Sequence, residues 1–164
     1  MADYPTSTFE WKGVTVTNTW IRTDNIGNYS PVSQVYGIIF NDNNEILICR
    51  SSKTVDWQIP GGHPDAGETF EETLHREVLE EVDVEIENIK PLGVFKVEFS
   101  DGDNVTYQSR FIAKLKNLLP QTPDPANGQT WERKFVSAEE ITNYVNWGEA
   151  GDAMFVDAIL ANSN

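Results

Sequence analysis

Apolar and polar positions set out most of the elements along this chain. Residues 14–21 (VTVTNTWI) alternate apolar and polar over much of their length, the period of a half-buried strand. Residues 23–30, rich in Asn, Asp and Gly, predict a loop. The apolar runs 35–40 and 45–49 flank Asn41-Asp42-Asn43-Asn44 and predict a hairpin. Trp57-Gln58-Ile59 predicts a short strand stopped by Pro60-Gly61-Gly62. Residues 91–99 and 105–115 predict a second hairpin, turning at residues 100–104. After a loop at 120–128, residues 131–136 should return to the sheet. Ser137-Ala138-Glu139-Glu140 has the pattern of a capping box opening a short helix. Residues 151–162 carry apolar positions at the spacing of a helix lying on the sheet. Strands, one helix, strands and then helices predict an α/β fold, a mixed sheet covered by helices.

The central helix is the most informative segment. Thr69-Phe70-Glu71-Glu72 is a capping box, which starts the helix at about Phe70 and carries it to Val82. Phe70, Leu74, Val78 and Val82 recur every fourth residue and form one apolar stripe. Glu77, Glu80 and Glu81 overlap one edge of that stripe, whereas a solvated acidic face would lie opposite it. Like charges at i, i+3 and i, i+4 repel. Partial burial adds to the cost, and so does the negative end of the helix dipole. A hard dication such as Mg²⁺ bound by carboxylate oxygens removes the conflict. Arg76, four residues from both Glu72 and Glu80, is either an ordinary surface ion pair or a brace for Glu80.

Composition narrows the partners. The 164 residues fit one domain with a full core. A formal net charge of −14 argues against a basic face tracking a nucleic-acid polymer. It leaves a small phosphorylated ligand open, because a bound cation inverts the local charge. The single cysteine, Cys49, lies in the apolar run Ile46-Leu47-Ile48 and reads as a buried small hydrophobe. The chain has only two histidines, His63 and His75, which argues against a structural His/Cys zinc site. The start of the chain, MADYPTSTFEWKG, has no basic segment followed by an apolar one, and no apolar stretch approaches a membrane span. The expectation is a cytoplasmic protein without a membrane partner.

Taken together these residues resemble a Nudix box. The family pattern is Gly, five residues, Glu, seven residues, Arg-Glu, an aliphatic residue, any residue, Glu-Glu, any residue, Gly and an aliphatic residue. Here it reads Gly62, Glu68, Arg76, Glu77, Val78, Glu80, Glu81, Asp83 and Val84, with Asp83 standing where the family has glycine. That glycine is suited to ending the helix in a left-handed conformation, which Asp tolerates at a cost of about 1 kcal/mol. The resemblance implies a Nudix-type α/β/α sandwich with a mixed β-sheet and a loop–helix–loop motif. It places the Nudix domain at residues 31–164 and an N-terminal extension with a strand at residues 1–30. That strand could extend the sheet or make a homodimer contact.

The resemblance also implies hydrolysis of a diphosphate bond in a small nucleotide-type substrate, assisted by Mg²⁺ or Mn²⁺. By position, Glu77, Glu80 and Glu81 are the metal ligands, together with the backbone carbonyl of Gly61. Glu68 and Arg76 orient the loop and helix. The proton acceptor for the attacking water is Glu77 or Glu81 ahead of Glu132. Arg50, Lys53, Arg110 and Tyr107 are candidates for substrate contacts, each also readable as an ordinary surface or packing residue. Trp57 and His63 read as a core residue and a loop residue beside the site. Nucleoside triphosphates, nucleotide sugars and ADP-ribose all remain open as substrates. So does a non-catalytic nucleotide-binding module on the same fold. An isomerase of prenyl diphosphates would need a reactive cysteine, and Cys49 is in an apparent buried strand.

Overall fold

A computed structural model describes residues 3–164. Its pivot is strand β3 (Val32–Phe40). One edge of β3 runs parallel to β7 (Val105–Leu118), from Val32 opposite Tyr107 to Phe40 opposite Lys114. The other edge is shared. Near its C-terminal end it meets β4 (Glu45–Arg50) at Phe40 and Ile46. Near its middle it meets the two-residue β5 (Gly61–Gly62), with Tyr36 opposite Gly61 and Val35 opposite Gly62. β4 then diverges to pair with β8 (Glu132–Ser137). The sheet therefore forks, and Gly61 and Gly62 sit at the fork.

The full order is β1-β2-β6-β7-β3-β4-β8, with β5 paired to β3. β6 (Val84–Phe99) joins β7 antiparallel, and β2 (Val14–Arg22) joins β6. The outer edge is β1 (Thr6–Trp11), joined to β2 through Lys12 and Gly13, both at positive φ as a two-residue hairpin turn requires.

Alternation along the strands divides the interior into two cores. Val35, Ile39, Leu47, Cys49, Val94 and Phe111 face α1 (Phe70–Val82), which buries Leu74, Val78 and Val82 among them. On the other face, Val16, Trp20, Ile38, Phe40, Phe95 and Val97 meet α3 (Gly148–Asn162) through Met154, Phe155 and Ala158. The result is the expected α/β/α sandwich with a mixed sheet.

Helix α1 has the predicted bounds. Thr69 Oγ1 accepts from Glu72 N–H at 3.1 Å, and Glu72 Oε2 accepts from Thr69 N–H at 2.8 Å. Three expectations fail. Residues 57–59 form no strand: Gln58 makes a single bridge to Cys49, and the following Pro60 has no N–H to extend a ladder. Ser137 does not cap a helix through its side chain, because it ends β8 opposite Glu45 and leads into a 3₁₀ turn at Ala138–Glu140. α2 (Ile141–Tyr144) follows that turn. β6 begins at Val84, seven residues before position 91, because bulges around Asn88 (φ 53°) break the alternation without ending the strand.

Candidate active site

The loop before α1 is fastened to the helix by one carboxylate. Glu68 Oε2 accepts from Asp65 N–H at 3.0 Å and from the hydroxyl of the buried Thr73 at 2.8 Å. Arg76 donates from Nε to Glu68 Oε1 at 2.7 Å and from Nη2 to Oε2 at 3.0 Å. This bidentate grip, with the loop's own donors, holds Glu68 down to about 2. Arg76 also donates to the backbone carbonyl of His63 at 3.0 Å, while His63 Nδ1 lies 2.8 Å from Ser33 O. His63 is a loop residue tied down beside the site.

Arg76 carries the brace onward to the acidic cluster. Its Nη1 donates to Glu77 Oε1 at 2.8 Å and lies 3.5 Å from Glu80 Oε2. Glu72 takes no part, being occupied by the cap. The three carboxylates grade from half-exposed to buried, with side chains 31% exposed for Glu80 and 14% for Glu77 and the whole residue 8% exposed for Glu81. Glu81 Oε2 accepts from Gly61 N–H at 3.2 Å. Burial pushes Glu81 up to about 8 against that hydrogen bond, and the charges of Glu77, Asp124 and Glu80 add to the rise. Glu77 is raised as well, by burial first, although Arg76 pulls the other way.

Glycine at the fork makes this proximity feasible. A Cβ on Gly62 would lie 2.3 Å from Glu77 Cδ, and one on Gly61 2.1 Å from Val35 O. The Glu77 carboxyl therefore rests directly on the backbone of β5, a cradle any side chain would fill. Among the described residues no three acidic, histidine or cysteine side chains already converge on one point. Glu77 is turned to Arg76, and Glu81 to Gly61 N–H. The chemistry of the donor set fits a hard dication all the same: the donors are all oxygens, and their mutual repulsion and burial are what a cation relieves.

Sequence reasoning missed Asp124. The segment Asp124-Pro125-Ala126-Asn127-Gly128 folds on itself, with Ala126 N–H and Asn127 Nδ2 donating to the Asp124 carboxylate. Trp131 Nε1 donates to it at 3.2 Å. Asp124 is 5% exposed, and its charge raises both Glu77 and Glu81. The Asp-Pro and Asn-Gly dipeptides signalled a turn, but nothing local signalled that it folds over the acidic cluster. Asp83 ends α1 at φ 51° and ψ 50°, left-handed as the family's glycine would be. Its carboxylate accepts from the N–H and hydroxyl of Thr122, so the residue is held rather than merely tolerated.

None of the remaining candidates makes a side-chain hydrogen bond or ion pair to Glu77, Glu80 or Glu81 among the described residues. Arg50 Nε donates to Glu132 Oε2 at 2.8 Å across the β4–β8 ladder, and its guanidinium lies 4.4 Å from the Trp57 ring centroid. Glu132 is 61% exposed. Lys53 is exposed in the loop after β4. Tyr107 packs on the α1 face against Tyr29, with ring centroids 5.2 Å apart. Arg110 is 2% exposed and faces the α3 side of the sheet, where burial lowers it to about 10. Cys49 is fully buried and its thiol is raised well above the usual value by burial. No helix among the described residues is long and apolar enough to cross a membrane.

The NUDIX domain family model matches residues 31–157. The chain is 35% identical over 72 residues to the NAD-capped RNA hydrolase NudC of Pseudomonas syringae pv. tomato, covering 43% of this chain and 26% of the relative. It is 41% identical over 66 residues to an RNA pyrophosphohydrolase of Pseudoalteromonas atlantica, covering 35% and 38%. The chain thus spans half or less of the length of these curated relatives. The fold superposes on the crystal structure of the Bacillus subtilis pyrophosphohydrolase BsRppH with a TM-score of 0.67 at 17% identity, covering 96% of this chain and 98% of that one.

Proposed function

The chain belongs to the NUDIX domain family, and from that premise we propose that it hydrolyses a diphosphate bond of a nucleotide by attack of water on phosphorus. The observation that carries this reading is the Glu81–Gly61 contact within the Arg76-braced cluster of Glu77, Glu80 and Glu81. Glu77, Glu80 and Glu81, with the carbonyl of Gly61, would hold Mg²⁺ or Mn²⁺. Bound there, the cation neutralises the diphosphate and acidifies a water. Glu68 and Arg76 keep the loop and helix in register so that Glu77 stays over Gly62.

Glu77 and Glu81 are both within the cluster and could accept the water's proton. Of the two, Glu81 is the more deeply buried and is held against Gly61 N–H, whereas Glu77 is engaged by Arg76. Glu132 is exposed and engaged with Arg50, which leaves it third. Two relatives are named for RNA substrates, one of them for NAD-capped RNA, which brings the capped end of a polymer within this chemistry, whereas the net charge of −14 disfavours extended contact with the rest of a strand. The test is phosphate or nucleotide release from a panel of nucleoside triphosphates, nucleotide sugars, dinucleotides and triphosphorylated RNA. Release is expected with Mg²⁺, loss with chelator and recovery on adding Mg²⁺ back. A panel that is inert throughout, with nucleotide still bound, would favour a non-catalytic module.

A further inference from the structure

On the α3 face of the sheet, a cavity of about 530 Å³ opens between the N-terminal hairpin and the start of α3. Its size is that of small-molecule sites, roughly 300–1,000 Å³. Phe9, Tyr36, Phe95 and Trp147 supply aromatic walls, and Asn18 and Arg110 stand among them. Resting on the hydrolase reading above, we propose that this cavity receives the base of the substrate and selects a 6-oxopurine, guanine foremost.

Arg110 is the first reason. Its guanidinium is surrounded by Tyr36, Phe95 and Trp147, with ring centroids at 4.5, 4.8 and 5.5 Å. Among the described residues no carboxylate pairs with it. It donates only to Ser109 O at 3.2 Å and to Gln108 Oε1 at 3.1 Å, both long for bonds from a charged donor, and its buried Nε–H has no partner. A buried cation left so weakly satisfied is costly, and the cost is relieved by an acceptor brought by a ligand. Asn18 is the second reason. Asn18 lines the same cavity, and its buried Oδ1 also has no partner. The two unpaired atoms are of opposite kind, one a donor and one an acceptor.

A planar ligand that pairs both needs an acceptor edge and a donor edge, and must stack on aromatic rings. Guanine has O6 and N7 for a guanidinium, the commonest arginine–base pairing, and N1–H and N2–H for a side-chain carbonyl. Adenine places its N6 amino donor where Arg110 also donates, so it leaves the arginine unrelieved. A phosphate would suit Arg110 but makes no use of four aromatic walls or of an unpaired acceptor.

The cavity is joined to the acidic cluster through Tyr36. A Cβ on Gly61 would lie 2.7 Å from Tyr36 Cδ1, so the ring that walls the cavity abuts the residue whose N–H binds Glu81. Base and diphosphate can therefore occupy adjacent sites of one substrate. Phe9 and Asn18 come from the N-terminal hairpin, which precedes the family match at residue 31. Ser7 Oγ accepts from Ala150 N–H at 2.9 Å and ties that hairpin to the first turn of α3, beside Trp147. Selectivity would then be added by a segment outside the family's common part.

The experiment is calorimetric binding of GMP, IMP and AMP to the full chain in chelator, where no turnover occurs. GMP and IMP should bind at least about tenfold more tightly than AMP. Arg110→Met should bring GMP to the level of AMP, and Asn18→Ala, which leaves the buried arginine in place, should narrow the gap if Arg110→Met does not fold. Glu81→Gln should keep the preference for GMP. Equal binding of GMP and AMP, a preference for AMP, or no binding at millimolar nucleotide would overturn the proposal. Mg²⁺-dependent turnover of the same bases is scored separately. Hydrolysis without base preference sinks the pocket alone, and base preference without hydrolysis sinks the hydrolase reading alone.

Discussion

The side chain of Arg76 forks onto Glu68, with Nε 2.7 Å from Oε1 and Nη2 3.0 Å from Oε2, while its third nitrogen reaches Glu77 Oε1 at 2.8 Å. One arginine thereby couples the loop that carries Gly61 and Gly62 to the helix that carries the acidic cluster. Lysine has charge but no fork. Arg76→Lys should lower kcat about 10- to 100-fold with a smaller change in KM, as loss of an orienting partner does. Steady-state kinetics on any substrate turned over will show it. A KM effect with kcat unchanged would place Arg76 in substrate binding instead.

Gly62→Ala should be worse for activity than for stability. The added methyl would sit 2.3 Å from Glu77 Cδ and must push the carboxylate aside. Displacement by an ångström at a reacting centre can cost about 100-fold in rate. The clashing atom is the far end of the Glu77 side chain, which can swing away from Gly62 at the expense of its bond to Arg76, so the fold should accommodate the shift. Thermal denaturation beside kcat separates the two, and a variant with full activity contradicts the close contact.

Restoring the family's residue at position 83 should not help. Glycine would remove a left-handed strain of about 1 kcal/mol. It would also remove the bonds that the Asp83 carboxylate accepts from Thr122 N–H and hydroxyl, worth about 1–3 kcal/mol for bonds to a charged group. Asp83→Gly should be destabilised by about 1 kcal/mol, and Asp83→Ala, which keeps the strain and loses the bonds, by more. Denaturant unfolding measures both, and a more stable Asp83→Gly would show that Thr122 contributes little.

How much of this could be read from the sequence depends on how local each cause is. The helix Phe70–Val82 was legible because its cap, its apolar stripe and its acid cluster all lie within one short run. Val84–Lys90 was not, because positive φ at Asn88 interrupts the alternation that marks a strand. β1 was missed for a different reason: Phe9 and Trp11 are exposed on an edge strand, so they show no buried face. Asp124 and Tyr36 join the site through a folded loop and a sheet fork, neither of which any spacing records. Arg110 could be named as a candidate, but its burial and its aromatic surroundings come from three separate elements.

The stability of the metal-free protein should fall as pH rises through neutrality. Glu81 titrates at about 8 when folded against an ordinary value of 4.5. Between these values the folded chain holds a proton that the unfolded chain has released, so folding is favoured below the window and loses that contribution as pH rises through it. Glu77, also raised, acts in the same direction. Glu81→Gln stays neutral throughout. In chelator, its melting temperature should decline less than that of the wild type from about pH 5 to about pH 9. Parallel curves would show that Glu81 is not protonated in the folded protein near neutrality.

The central claim is that the cluster on α1 performs hydrolysis. The most direct measurement is kcat/KM for wild type and Glu81→Gln on the best substrate of the panel, at saturating Mg²⁺. The variant preserves size and can still accept from Gly61 N–H through its amide oxygen. A fall of about 100-fold or more, with the fold and nucleotide binding intact, is the predicted result. Turnover by Glu81→Gln at the wild-type rate would contradict the account.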